Sequence, residues 1–184
     1  MSLYRESEAA KIADLINAWI NSENSKNLTF GIISFYKSQV NKIKSELSKY
    51  KITEKDNTGN YIIADTYKNM LNTNNDDEKI RIGTVDSFQG MEFDIVILST
   101  VRSKSSAYIE KKLQSTNNPN LASRSVYGHL MSENRLCVSM SRQIRKLIVV
   151  GDLSLFKNEI AKDKVPGLYH FYKLCDSNGI ILNG

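Results

Sequence analysis

The run Ile95-Val96-Ile97-Leu98, entered directly from Glu92-Phe93-Asp94, is the feature that most restricts the fold. Four consecutive branched apolar residues leave no wet face, so a strand made of them is covered on both sides, as in a parallel sheet with crossover connections. Before it comes Ile80-Arg81-Ile82-Gly83-Thr84, a second strand, and then the polar, glycine-punctuated Val85-Asp86-Ser87-Phe88-Gln89-Gly90-Met91. Ligand contacts in such sheets gather in loops at the carboxyl ends of the strands. This loop is therefore the first candidate for function.

The rest of the chain supports the same class. Ile12, Leu15, Ile16, Trp19 and Ile20 repeat at helical spacing after an opening at Glu6 or Ser7. Thr29 to Ser34 reads as a buried strand, and Tyr36, Val40, Ile43 and Leu47 stripe a following helix. Residues 51–79 are expected to be weakly ordered, with a short strand at Tyr61 to Ala64 and a solvated loop at Asn72 to Asp77. Residues 103–126, rich in Ser, Asn and Lys, form a long excursion that is either functional or mobile. Ser132 can cap a helix over Glu133 to Ser141, and Lys146 to Val150 is a strand that turns out at Gly151-Asp152. Leu153 to Ala161 and Leu168 to Cys175 read as helices separated by Pro166-Gly167, with a closing strand at Ile180 to Leu182. Helices alternating with strands predict an α/β domain with a mostly parallel sheet.

Composition excludes several classes. A chain of 184 residues, 41% hydrophobic and 24% charged, is long enough to bury roughly 70% of its unfolded surface without staples. No run approaches the roughly 18 to 20 apolar residues of a membrane span, and Met1 to Glu6 lacks the apolar centre of a signal peptide, which predicts a cytoplasmic protein with no membrane partner. Cys137 and Cys175 are too far apart for metal-ligand spacing and are expected to be buried free thiols. No metal site is indicated. A net charge of +5 suits a polyanionic partner and also suits many proteins without one.

Chemistry concentrates in Asn134-Arg135-Leu136-Cys137-Val138-Ser139-Met140-Ser141-Arg142. At about 100° per residue, Arg135, Ser139 and Arg142 project from one side of a helix and Leu136, Met140 and Ile144 from the other. Such a face is either a solvated surface or a phosphate-recognition surface, where planar guanidinium groups can stabilise charge on a phosphoryl oxygen. No Gly-Lys pair occurs anywhere, so no phosphate-cradling P-loop is present, and no apolar strand ends in paired acids for a catalytic magnesium. A chain like this could supply only one wall of a nucleotide site.

Thr84-Val85-Asp86-Ser87-Phe88-Gln89-Gly90-Met91-Glu92-Phe93-Asp94-Ile95-Val96-Ile97-Leu98 and Arg135-Leu136-Cys137-Val138-Ser139-Met140-Ser141-Arg142, running on to Leu147-Ile148-Val149-Val150-Gly151-Asp152, strongly resemble motifs V and VI of superfamily 1 helicases. The branch is the one that includes the RNA-decay helicase and related DNA-repair and replication helicases. Ile32 to Gln39 is similar to that family's strand-loop-helix with its Tyr-x-x-Gln ending, Arg5 to Ala10 resembles the start of the preceding helix, and Gly167 to Tyr172 with the closing strand fits the tail. The resemblance covers nearly all of the chain except 51–79 and 103–126, which are then insertions or mobile loops.

The resemblance implies a three-layer α/β/α RecA-like (P-loop NTPase-like) fold over residues 1–184, the second of two motor domains. It implies ATP bound with Mg²⁺ between the domains, the metal ligands and P-loop belonging to an N-terminal RecA-like domain. Arg142 then matches the catalytic arginine finger, Glu92 the acid that contacts the nucleotide ribose, and Gly90 a close backbone approach. Ser34, Tyr36, Thr84 and Ser87 match the contacts to single-stranded DNA or RNA. Short hydroxyls suit that task because they hold phosphates without reading sequence. Gln143 and Ile144 replace the small and basic residues common after the finger, with Arg145 following. Without its partner domain the chain is expected to be inactive. The alternative is a non-catalytic nucleic-acid or protein binding module with a helicase-like fold.

Overall fold

The computed structural model describes residues 3–69, 78–114 and 118–182. Contacts divide the chain into two compact units, one formed by Met1–Val101 with Val138–Val150 and the other by Arg102–Cys137 with Gly151–Gly184.

In the first unit, Ala9, Ile12, Ala13, Ile16 and Ile20 line the buried side of α1 (Glu6–Ile20), and Val40, Ile43 and Leu47 that of α2 (Lys37–Leu47). Between them β1 (Phe30–Ser34) is buried along its whole length. After α2 a hairpin of β2 (Thr53–Lys55) and β3 (Tyr61–Ile63) forms, turned by Asp56, whose Oδ1 accepts the N–H groups of Thr58 and Asn60 at 2.8 and 3.0 Å. β4 (Ile80–Thr84), β5 (Phe93–Ser99) and β6 (Gln143–Val150) join β1 in a four-stranded sheet of order β4-β1-β5-β6, in which every pairing is parallel. Phe30, Ile32, Ile80, Ile82, Ile95 and Ile97 meet the stripes of α1 and α2 in one core cluster. Each such side chain, fully buried, contributes about 1.5–3 kcal/mol. A parallel sheet with flanking helices is the arrangement of the α/β/α RecA-like class, as expected.

Asp94 ties three strands at their amino-terminal edge. One carboxylate oxygen accepts the Thr29 N–H (2.9 Å) and the Thr29 hydroxyl (3.0 Å) ahead of β1, and the other accepts Arg145 Nε (2.7 Å) from β6. Burial pushes the Asp94 carboxyl up, but the Thr29 N–H, the Arg145 guanidinium and the Thr29 hydroxyl outweigh it and hold it below its ordinary value.

In the second unit, residues 103–126 contain two helices that were not expected, α3 (Ser106–Gln114) and most of α4 (Pro119–Tyr127). Asn118-Pro119 resembles a loop signal in sequence, yet here Asn118 caps α4, accepting the Leu121 N–H at 3.1 Å, and Pro119 occupies the first turn, where a missing N–H costs nothing. Similarly, Asn158 caps α6 (Glu159–Lys164), which shortens the helix expected from Leu153, and Pro166 opens α7 (Pro166–Asn178) and does not separate two helices. The chain passes from the second unit back to the first through α5 (Glu133–Met140). The expected closing strand does not form: Ile180 and Leu182 are exposed and unpaired, because an apolar run is a strand only with a neighbour to hydrogen-bond. The loop expected at Asn72 to Asp77 lies outside the described residues. Among the described residues no helix is long and apolar enough to cross a membrane.

Asp94→Ala is expected to destabilise the protein by about 1–3 kcal/mol in urea unfolding, since it strips partners from Thr29 and Arg145. A carboxyl held low stabilises the fold above its unfolded value of 3.8, and the contribution is lost as pH falls through the folded value. The gap between wild type and variant should therefore close on acidification below about pH 4; a gap independent of pH would contradict the assignment.

Candidate functional site

β4 and β5 run parallel on either side of β1, so the eight residues 85–92 that join them must return from the carboxyl-terminal edge of the sheet to its amino-terminal edge. No α-helix makes this return. Val85–Phe88 forms a 3-10 turn instead, and Phe88, fully buried, lays its ring 5.5 Å from that of Phe93. The segment crosses the face of the sheet opposite α1 and α2. On β1, Phe30 and Ile32 point into the core beneath those helices, and a Cβ on Gly31 between them would lie 3.0 Å from both the Phe88 and Phe93 rings. Gly83 is required in the same way, since its Cβ would fall 2.2 Å from Ser87 Oγ. Sequence reading assigned neither glycine a role, although an isolated glycine in an apolar strand signals close approach of another chain segment.

At the amino-terminal edge the returning loop meets the turn into β6. Phe93 N–H donates to the Arg142 carbonyl at 2.9 Å, and Arg142 Nη1 donates back to the Met91 carbonyl at 3.3 Å. Arg142 Nε and Nη2 donate to the Val138 carbonyl (3.2 Å) and the Ser141 hydroxyl (2.9 Å). All of these acceptors are neutral. Arg145, three residues on, is spent on Asp94. Gly90 has φ +78° with open space where a Cβ would be, and Glu92 is exposed. The expected helical presentation of Arg142 is corrected: α5 ends at Met140, and Arg142 is placed by its bonds to the loop. Ser139 is fully buried and Cys137 exposed, the reverse of their expected environments. On α5 the buried positions are Leu136 and Ser139, three apart, and Cys137 falls off that line.

At the carboxyl-terminal edge Ser34 sits in register with Thr84 on one side and Ser99 on the other. Ser87 is exposed and donates its hydroxyl to the Thr84 carbonyl at 2.7 Å. Ser34 is fully buried, its hydroxyl accepting the Tyr36 N–H at 3.3 Å, and Tyr36 is only 6% exposed. Ser34 and Tyr36 thus shape the β1–α2 loop from within, whereas Thr84 and Ser87 reach its surface. The loop thus touches both edges of the sheet, not the carboxyl edge alone.

Beneath this edge lies a polar network that sequence reading missed. Glu8, Gln39 and Ser99 are buried. Gln39 Nε2 donates to the Ser99 hydroxyl (3.0 Å), which donates to Glu8 (2.7 Å), and Gln39 Oε1 accepts the Arg5 N–H (2.8 Å). Glu8 also accepts the N–H of Val101 (3.0 Å), which holds that β-branched residue at φ +67°, a conformation such residues avoid. Burial raises the Glu8 carboxyl above its ordinary value despite opposing contributions from Val101, Ser99 and Arg5. The single sequence signal was Gln39, in the Tyr-x-x-Gln ending.

Comparison with known proteins follows this geometry. Residues 1–154 match a family model described as an AAA domain. The chain is 29% identical over 157 residues to DNA polymerase alpha-associated DNA helicase A of Saccharomyces cerevisiae, covering 85% of this chain and 16% of that protein. It is 31% identical over 149 residues to the putative helicase MOV-10 of Gallus gallus (81% and 12%) and 30% identical over 131 residues to the 5'-3' DNA helicase ZGRF1 of Mus musculus (71% and 5%). It therefore spans a small fraction of each relative.

Two variants test the site's frame. Gly31→Ala forces a methyl against two buried rings and should destabilise by about 1–3 kcal/mol in chemical unfolding; an unchanged midpoint would show that the crossing segment can shift freely. A raised carboxyl pKa means the folded state holds the Glu8 proton more tightly, so stability is greatest below the unfolded value of 4.5 and falls as pH rises from there through the folded value. Glu8→Gln should remove that fall in melting temperatures measured from pH 4 upward, and parallel curves for the two proteins would refute it.

Proposed function

The chain belongs to the superfamily 1 helicases, within the AAA domain family whose model spans residues 1–154, and on that premise we propose that residues 1–184 are the second motor domain of an ATP-dependent helicase. The observation that carries the reading is the Arg142 guanidinium, without an ion pair among the described residues and locked to the far end of the same loop that begins at Thr84. Arg142 acts as the arginine finger. Its planar donors suit phosphoryl oxygens, and exchanging neutral carbonyls for an anion strengthens each hydrogen bond. Gly90 lets the backbone approach the nucleotide, and Glu92 reaches its ribose.

ATP supplies a phosphoryl group activated for transfer to water. Its Mg²⁺ ligands and P-loop belong to an N-terminal RecA-like domain of the same protein; among the described residues of this chain no group of three or more His, Cys, Asp or Glu gathers to hold a metal. Single-stranded nucleic acid lies along the carboxyl-terminal edge, against Thr84 and Ser87, on a loop whose shape Ser34 and Tyr36 maintain. Closure of the two domains over ATP then moves the loop 85–92 at one end and is felt at the other. Alone, the chain binds but does not hydrolyse.

In the full-length protein, Arg142→Ala should reduce nucleic-acid-stimulated ATP hydrolysis by about a thousandfold or more while leaving nucleic-acid affinity unchanged. An unchanged hydrolysis rate would remove the finger assignment and leave a non-catalytic binding module as the reading.

A further inference from the structure

The second unit carries a surface that the motor reading does not use. Residues 102–127 contain five basic residues, Arg102, Lys104, Lys111, Lys112 and Arg124, against the single acid Glu110, which is +4 of the chain's net charge of +5. In α3, Ile109 is buried, while Tyr108, Lys111 and Lys112 are exposed and fall within about 100° of arc. Tyr108 remains 41% exposed, with Lys104 Nζ 4.7 Å from its ring centroid. Lys104, Lys111 and Lys112 form no ion pair among the described residues, so their ammonium groups are not already taken by a carboxylate as those of Lys26, Lys42, Lys49 and Lys68 are.

We infer that this face of α3 is a second grip on single-stranded nucleic acid, in which Tyr108 stacks on a base and Lys104, Lys111 and Lys112 hold the flanking phosphates. Unpaired ammonium groups match a polyanion, and an exposed ring among them matches a strand with unstacked bases. An acidic protein or an anionic lipid surface would use the lysines and have no need of the ring. The contacts are to backbone and base faces, so the grip is indifferent to sequence. It stands on α3 alone and does not depend on the role of Arg142.

The test is fluorescence anisotropy of a labelled oligothymidylate of about 16 nucleotides, titrated with the full chain at several salt concentrations. Tyr108→Ala should weaken binding about fivefold or more, Tyr108→Phe should bind as wild type, and the double variant Lys111→Ala/Lys112→Ala should lower the log–log salt slope by about 1.4. Circular dichroism melting keeps loss of binding distinct from loss of fold. Wild-type affinity in both Tyr108→Ala and the lysine double variant would overturn the inference. A reduced slope with Tyr108→Ala neutral would overturn it too, and would assign the face to an acidic protein or lipid partner. The assay reads binding without ATP hydrolysis, so failure of the finger assignment and failure of this surface are read separately.

Discussion

The packing of Phe88 over Gly31 and against Phe93 is the contact on which the rest of the site depends. A parallel sheet obliges every connection between its strands to return to the starting edge, and most do so through a helix of ten or more residues. Here eight residues suffice, because two strand glycines let the chain lie close on the sheet and one buried ring fixes it there. A short, tightly packed return has few internal degrees of freedom. Displacement at one edge of the sheet is then difficult to absorb before it reaches the other, which is what a coupling element requires.

Electrostatics divides the labour between two neighbouring arginines. Arg145 satisfies a largely buried carboxylate and so serves the fold, whereas Arg142 is held by carbonyls and a hydroxyl, all of them neutral. Sequence alone presents them as two similar residues three apart. Their partners distinguish them, and the deciding ones, Asp94 for Arg145 and the Met91 carbonyl for Arg142, each lie 51 positions away.

Much of the architecture was legible in the chain. The strands around Ile32, Ile82 and Val96 were expected within a residue or so of their observed bounds, because branched apolar runs bounded by polar residues have few other uses. The α4 helix was hidden, because Asn-Pro serves both turns and helix starts and only the packing of Ala122, Ser123 and Val126 decides between them. The closing strand at Ile180 was overread for the complementary reason: propensity favours a strand there, but no partner edge takes it up. The Glu8 network escaped because its members are separated by up to 93 positions, and no local pattern marks a carboxylate that will be buried.

What the sequence determined by itself was the parallel sheet, the resemblance carried by its two motifs and the absence of a Gly-Lys pair, since each is written in contiguous residues and their spacing. Tertiary structure alone decided that the glycine loop spans the sheet from edge to edge, that Ser34 works from inside while Ser87 faces out, and that Arg145 pairs with a carboxylate while Arg142 meets neutral acceptors. These outcomes rest on which distant groups become neighbours, and burial and hydrogen bonding act between neighbours in space, not in sequence.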